Sequence, residues 1–116
     1  MLTENQWKAR LKAALVAQGA VVLSVHGHAM QAPGWPDLFF THSRGRAWME
    51  LKMHDGELRE AQRIVLRKLN EVDEFSLVLR LARDQKSCTA ESFEGVVFWT
   101  LQGSLPAREI IDACCK

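Results

Sequence analysis

Apolar and polar positions change period several times along the chain, and each change predicts an element. Thr3-Glu4-Asn5-Gln6 has the form of a capping box, with Thr3 as N-cap and Gln6 three residues later. Trp7, Leu11, Ala14, Leu15 and Gln18 follow at helical spacing, and Gly19 supplies a stop. Ala20 to Val25 then reads as a buried strand. His26 to Pro36, which carries Gly27, Pro33, Gly34 and Pro36, reads as an irregular loop. Asp37 to Thr41 and Arg46 to Met53 read as two strands joined by the turn His42-Ser43-Arg44-Gly45. Asp55-Gly56 breaks the second and starts a helix running to about Val72. Its apolar face is Leu58, Ala61, Val65, Leu69 and Val72, supported by Ile64 and Leu66. Phe75 to Leu81 is a fourth strand, parallel to the third if the helix is a right-handed crossover. Arg83 to Glu94 reads as polar loop and Val96 to Leu101 as a fifth strand. Ser104 caps a last helix with Pro106 in its first turn.

The order αβββαβ with a βα tail describes an α/β sandwich built on a mixed sheet. A chain of 116 residues suits one domain, 1–116. With 47% apolar and 25% charged residues, the composition is that of an ordinary globular protein and leaves function open. No apolar run is long enough to span a bilayer, and no charged-then-apolar leader opens the chain. Three cysteines, Cys88, Cys114 and Cys115, two of them adjacent, argue against a disulfide framework and for a reducing cytoplasm. The net charge of +1 provides no bulk grip on nucleic acid, so basic residues serving such a partner must be placed locally. No phosphate-binding glycine loop, nucleophile elbow or dinucleotide fingerprint is present.

The hairpin holds the chemistry. Along the third strand Trp48, Glu50 and Lys52 share one face, while Met49, Leu51 and Met53 share the other. Two opposite charges inside so apolar a strand either pair with each other or serve a site, because unpaired buried charge is expensive. A four-residue loop puts Asp37 opposite Glu50; a two-residue turn at Arg44-Gly45 puts it opposite Lys52 with Glu50 on the diagonal. Both registers bring Asp37, Glu50 and Lys52 to one face. Two adjacent carboxylates repel unless a cation lies between them, and oxygen ligands beside an ammonium suit Mg²⁺ and an anionic substrate.

Pro36-Asp37, a gap, then Glu50-Leu51-Lys52 resembles the PD-(D/E)XK nuclease motif. The match extends to Gly34-Trp35-Pro36-Asp37-Leu38 and to Gln62 in the next helix, a set similar to the small stand-alone VRR-NUC nucleases related to Holliday-junction resolvases. It covers about residues 3–83 and leaves 84–116 as a C-terminal extension. The resemblance implies a restriction-endonuclease-like αβββαβ core with a mixed sheet flanked by helices, plus the extra strand and helix. It implies Mg²⁺, with Mn²⁺ an acceptable substitute, held by Asp37, Glu50, the Leu51 carbonyl and an acid of the first helix corresponding to Glu4. Lys52 would position or activate water and stabilise charge on the phosphate, with Gln62 reaching the site. The expected activity is structure-selective DNA cleavage, on junctions, flaps or branches, by a cytoplasmic homodimer (host cytoplasm if viral). Trp35 departs from the small or branched residue usual before Pro-Asp; it narrows the site entrance or stacks on a base.

Each candidate has a plainer reading. Asp37, Glu50 and Lys52 could be a strand start and a cross-strand salt bridge, and coincidence would leave the two carboxylates far apart. Glu4 shares the stripe of Trp7 and Leu11, yet also suits a first helical turn. Gln62 is equally readable as a surface amide. Arg59, Arg63 and Arg67 form either a ridge toward phosphate or a solvated face balanced by Glu57, Glu60, Glu71 and Asp73; Arg44, at the hairpin tip, is similarly open. His26 and His28 fit no zinc spacing and lie where they could approach substrate. The rival class is a non-catalytic binding or assembly module on a nuclease scaffold.

Overall fold

The capping box forms as its residues require. The Gln6 N–H donates to Thr3 Oγ1 at 3.2 Å, and the Thr3 N–H donates to Gln6 Oε1 at 3.0 Å. Helix α1 (Glu4–Ala17) follows, and Gly19, at φ +92°, ends it in the left-handed region that glycine tolerates. The computed structural model describes residues 1–25 and 33–114. Its other elements are β1 (Val21–Ser24), β2 (Leu38–His42), β3 (Gly45–Lys52), α2 (Glu60–Glu71), β4 (Ser76–Leu81), β5 (Ser87–Glu91), β6 (Val97–Gln102) and α3 (Ala107–Ala113).

The six strands form one sheet in chain order. All neighbours are antiparallel except β3 and β4, which run parallel because α2 carries the chain from one end of the sheet to the other. Leu38, Phe40, Ala47, Met49, Leu51, Leu77, Leu79 and Leu81 line one face and pack with Trp7, Leu11 and Leu15 of α1 and Ile110 and Ile111 of α3. Helix α2 covers β4 on the opposite face, burying Leu66 and Leu69. There the Ser76 hydroxyl donates to the Leu66 carbonyl at 3.0 Å, and Asn70 Oδ1 accepts from the Ser76 N–H at 3.1 Å. The expected mixed sheet flanked by helices is therefore the observed architecture.

Several elements differ from the sequence reading. Strand β1 is not buried: Val21 and Leu23 are 70% and 55% exposed, because their face of this edge strand lies beyond the reach of α2. The stretch read as polar loop contains β5, whose inward residues are the small Cys88 and Ala90. Helix α2 begins at Glu60 rather than Asp55-Gly56, and it is rotated: Gln62, Leu66 and Leu69 are buried while Ala61 and Val72 are exposed. Ser104 does not cap α3. Pro106 takes the N-cap position, and the Ser104 carbonyl accepts from the Trp7 indole N–H at 2.7 Å. The hairpin turn is Ser43-Arg44, with His42 paired to Gly45. His26, His28 and Cys115 lie outside the described residues.

Candidate active site

Leu38 pairs with Met49, so the next step of the register sets Asp37 opposite Glu50, as the four-residue-loop alternative required. Strand β2 ends there while β3 continues to Lys52, which leaves one edge of β3 without a strand partner. Asp37 fills it: Leu51 N–H donates to Asp37 Oδ2 at 2.8 Å. A residue's N–H and C=O project toward the same edge of its strand, so the Leu51 carbonyl faces this opening too.

Asp37 and Glu50 are only 6% and 2% exposed, and their carboxyls are hydrogen-bonded to each other. Two carboxylates in such a place cannot both ionise. Glu50 keeps the proton: burial, then the hydrogen bond to Asp37 and its negative charge, push its pKa up to about 9 against the pull of Lys52 and Lys8. Asp37 moves the other way. Burial opposes its ionisation, but hydrogen bonds from Glu50 and Leu51 N–H and the charge of Lys8 hold it below the ordinary carboxylate range.

Gln62 is 3% exposed and joins the pair from α2, its Nε2 donating to Glu50 Oε2 at 3.0 Å. Its amide orientation is set from behind, where Gln62 Oε1 accepts from the Arg59 N–H at 2.8 Å. Lys52 closes β3 half-buried on the same face as Glu50, and its ammonium makes no ion pair or hydrogen bond among the described residues. The chain after it is fixed by Arg80, whose guanidinium donates to the Met53 carbonyl at 3.0 Å and to the Gly56 carbonyl, and pairs with Glu91 at 3.0 Å.

The remaining candidates divide. Trp35 stands just before the Pro-Asp pair and is tilted against Trp48 at 5.3 Å, and Phe39 is tilted against the same ring at 4.7 Å. Glu4 is not turned inward: it is 49% exposed on its side chain and meets Lys8, 3.4 Å away. Arg44 pairs with Asp112 at the hairpin tip, roughly 17 Å along β3 from Glu50. Arg59 is exposed just before α2, and Arg63 donates to the Phe93 carbonyl at 3.2 Å, away from the carboxylates. Lys8 was missed by sequence reasoning, although its ammonium lies 3.1 Å from Asp37 Oδ1. Its one signal was the four-residue spacing from Glu4.

Gly34 explains how the Asp37 loop is seated. At φ +91° it presses against the first turn of α2, where a Cβ would collide with the Ala61 carbonyl. The loop carrying Asp37 and the helix carrying Gln62 are thereby locked together. Gly34→Ala is expected to cost about 1–3 kcal/mol, through overpacking and backbone strain. Urea denaturation will measure it, and an unchanged midpoint would show the contact to be slack.

A hard divalent ion fits this donor set. Two buried carboxyls share one proton that a cation could replace, and a backbone carbonyl faces the same opening. Among the described residues no third acidic, histidine or cysteine ligand joins them. None of the described helices is long and apolar enough to cross a membrane.

No family model matches the chain, and no curated protein matches its sequence. Among solved structures it is similar to Hjc of Archaeoglobus fulgidus, a Holliday junction resolvase from an archaeal hyperthermophile, at a TM-score of 0.63 and 15% identity. The alignment covers 95% of this chain and 98% of that one. At that identity the likeness is one of architecture: this chain has the mixed α/β fold of the resolvase.

Proposed function

We propose that the protein is a divalent-metal-dependent DNA endonuclease of the PD-(D/E)XK type, within it the VRR-NUC branch, acting on branched or otherwise structured DNA. One observation carries the reading: Asp37 and Glu50 are buried against each other beside Lys52, whose ammonium has no partner among the described residues, in a fold shared with a Holliday junction resolvase. Asp37, Glu50 and the Leu51 carbonyl would hold the ion. When bound, Mg²⁺ or Mn²⁺ supplies electrostatic stabilisation of the charge that develops on the scissile phosphate.

The chain's own residues do the rest. The Leu51 N–H and Gln62 amide hold the carboxyls in place. Lys52 donates to a phosphate oxygen and orients the attacking water. Trp35, backed by Trp48, lies beside the strand start and offers a ring face to a base near the cut. With little net charge, the footprint on DNA is small, which favours recognition of shape over long duplex contacts. We also assign a homodimer: Val96, Val97 and Phe98 are exposed at the free β6 edge, an apolar strip suited to a second copy.

The test is cleavage of four-way junction, flap, duplex and single-stranded DNA with Mg²⁺ or Mn²⁺, comparing wild type with Asp37→Asn. Divalent-dependent cutting of branched substrates, lost in the variant, supports the proposal. Binding to DNA without turnover in any arm would favour the non-catalytic module instead.

A further inference from the structure

Lys8 has no part in the chemistry just described, yet its ammonium directly contacts Asp37, a candidate metal ligand. Its ammonium is 3.1 Å from Asp37 Oδ1 and 3.4 Å from Glu4 Oε1, while Leu51 N–H holds the other Asp37 oxygen. Glu4 and Lys8 are one helical turn apart, the spacing at which side chains of α1 meet. The two acceptors differ in setting: Asp37 is buried and Glu4 half in solvent. A lysine stem is long and flexible, so its ammonium can leave one for the other without moving the helix.

We infer that Lys8 is a positioning residue that guards Asp37 before the metal binds and withdraws to Glu4 when it does, thereby setting the affinity of the site for a divalent cation. This rests on the metal-site reading above. An ammonium and a divalent ion on the same buried carboxylate repel each other, so metal binding favours movement of the Lys8 ammonium off Asp37. Glu4 gives the displaced charge a partner. Until then the Lys8 ammonium sits against the buried Asp37 carboxylate, 3.1 Å away, and occupies the place where a cation would approach. The geometry also accounts for Glu4, which sits near the site without reaching the carboxylates: it serves Lys8 and not the metal.

Calorimetric titration with Mn²⁺ in the absence of DNA tests this without relying on cleavage. Lys8→Gln is expected to bind Mn²⁺ about ten-fold more tightly than wild type. Lys8→Arg, which keeps the charge, should stay near wild type, and thermal melts of the metal-free variants check that each is folded. Glu4→Gln should weaken binding several-fold in the wild-type background and leave it unchanged in the Lys8→Gln background. Binding by Lys8→Gln that is no tighter than wild type overturns the inference. So does a loss on Glu4→Gln that persists without Lys8, which would make Glu4 a ligand. If wild type takes up no Mn²⁺ at all, the metal-site reading itself fails, and the inference with it.

Discussion

Replacing Glu50 with glutamine is expected to lower divalent-dependent cleavage by at least about 10³-fold while making the metal-free protein more stable. The amide keeps the shape of the protonated acid: its oxygen can still accept from Gln62 and its NH₂ can donate to Asp37. What it loses is the ability to become an anion. Glu50 has a folded pKa raised to about 9 from an ordinary 4.5, so the stability linked to its protonation is complete below about pH 4.5 and drains away as pH rises toward 9. Glutamine does not titrate, so the gap between variant and wild type should widen across that window and level off above it. At pH 7 it should be on the order of 3 kcal/mol, or roughly 12 °C in Tm. Asp37, held below its ordinary 3.8, acts at the other limb, where its contribution is present above that value and is lost as pH falls. Saturating Mn²⁺ should reverse the order, because only wild type gains the binding free energy. Melting both proteins at pH 5, 7 and 9, with EDTA and with Mn²⁺, reads all of this. A variant less stable than wild type at pH 7 in EDTA would mean that Glu50 is already ionised in the folded state there.

Lys52→Met should reduce the cleavage rate by about 10²–10⁴-fold with the fold intact. Methionine keeps most of the stem that packs over Gly56 and removes only the ammonium. Because that ammonium has no ion pair or hydrogen bond among the described residues, its loss orphans no buried partner. Stability should therefore move little, and Mn²⁺ affinity should hold or rise as a nearby positive charge disappears. Single-turnover cleavage at saturating metal separates this from a binding defect. A rate within a few-fold of wild type would remove Lys52 from the chemistry.

Much of this was legible from residue order, for identifiable reasons. Counting narrows the hairpin to two registers, since two short strands around a tight turn have few ways to pair, and the parallel β4 follows from the length of the α2 crossover. The capping box of α1 is local chemistry and needs no tertiary context. Strand β5 was hidden because its inward side chains are a cysteine and an alanine, too small to make an alternation conspicuous. The rotation of α2 was hidden because its apolar residues spread over a wide arc, and the buried polar Gln62 marks the true inner face. Lys8 could not be placed from sequence, since its partner Asp37 is 29 residues away and meets it only once α1 docks beside the start of β2.

The anchors of α1 have a kinetic consequence. Trp7 is tied to the carbonyl of Ser104, 97 residues on, and the backbone of Leu2 exchanges two hydrogen bonds with Gln85, 83 residues on. Contacts of that separation are slow to close. Helix α1, which precedes the other described elements in the chain, is thus among the last of them to be fully seated, and Lys8 and Glu4 ride on it. The carboxyl hairpin and α2 can be assembled while the helix that carries its guard is still waiting for the tail.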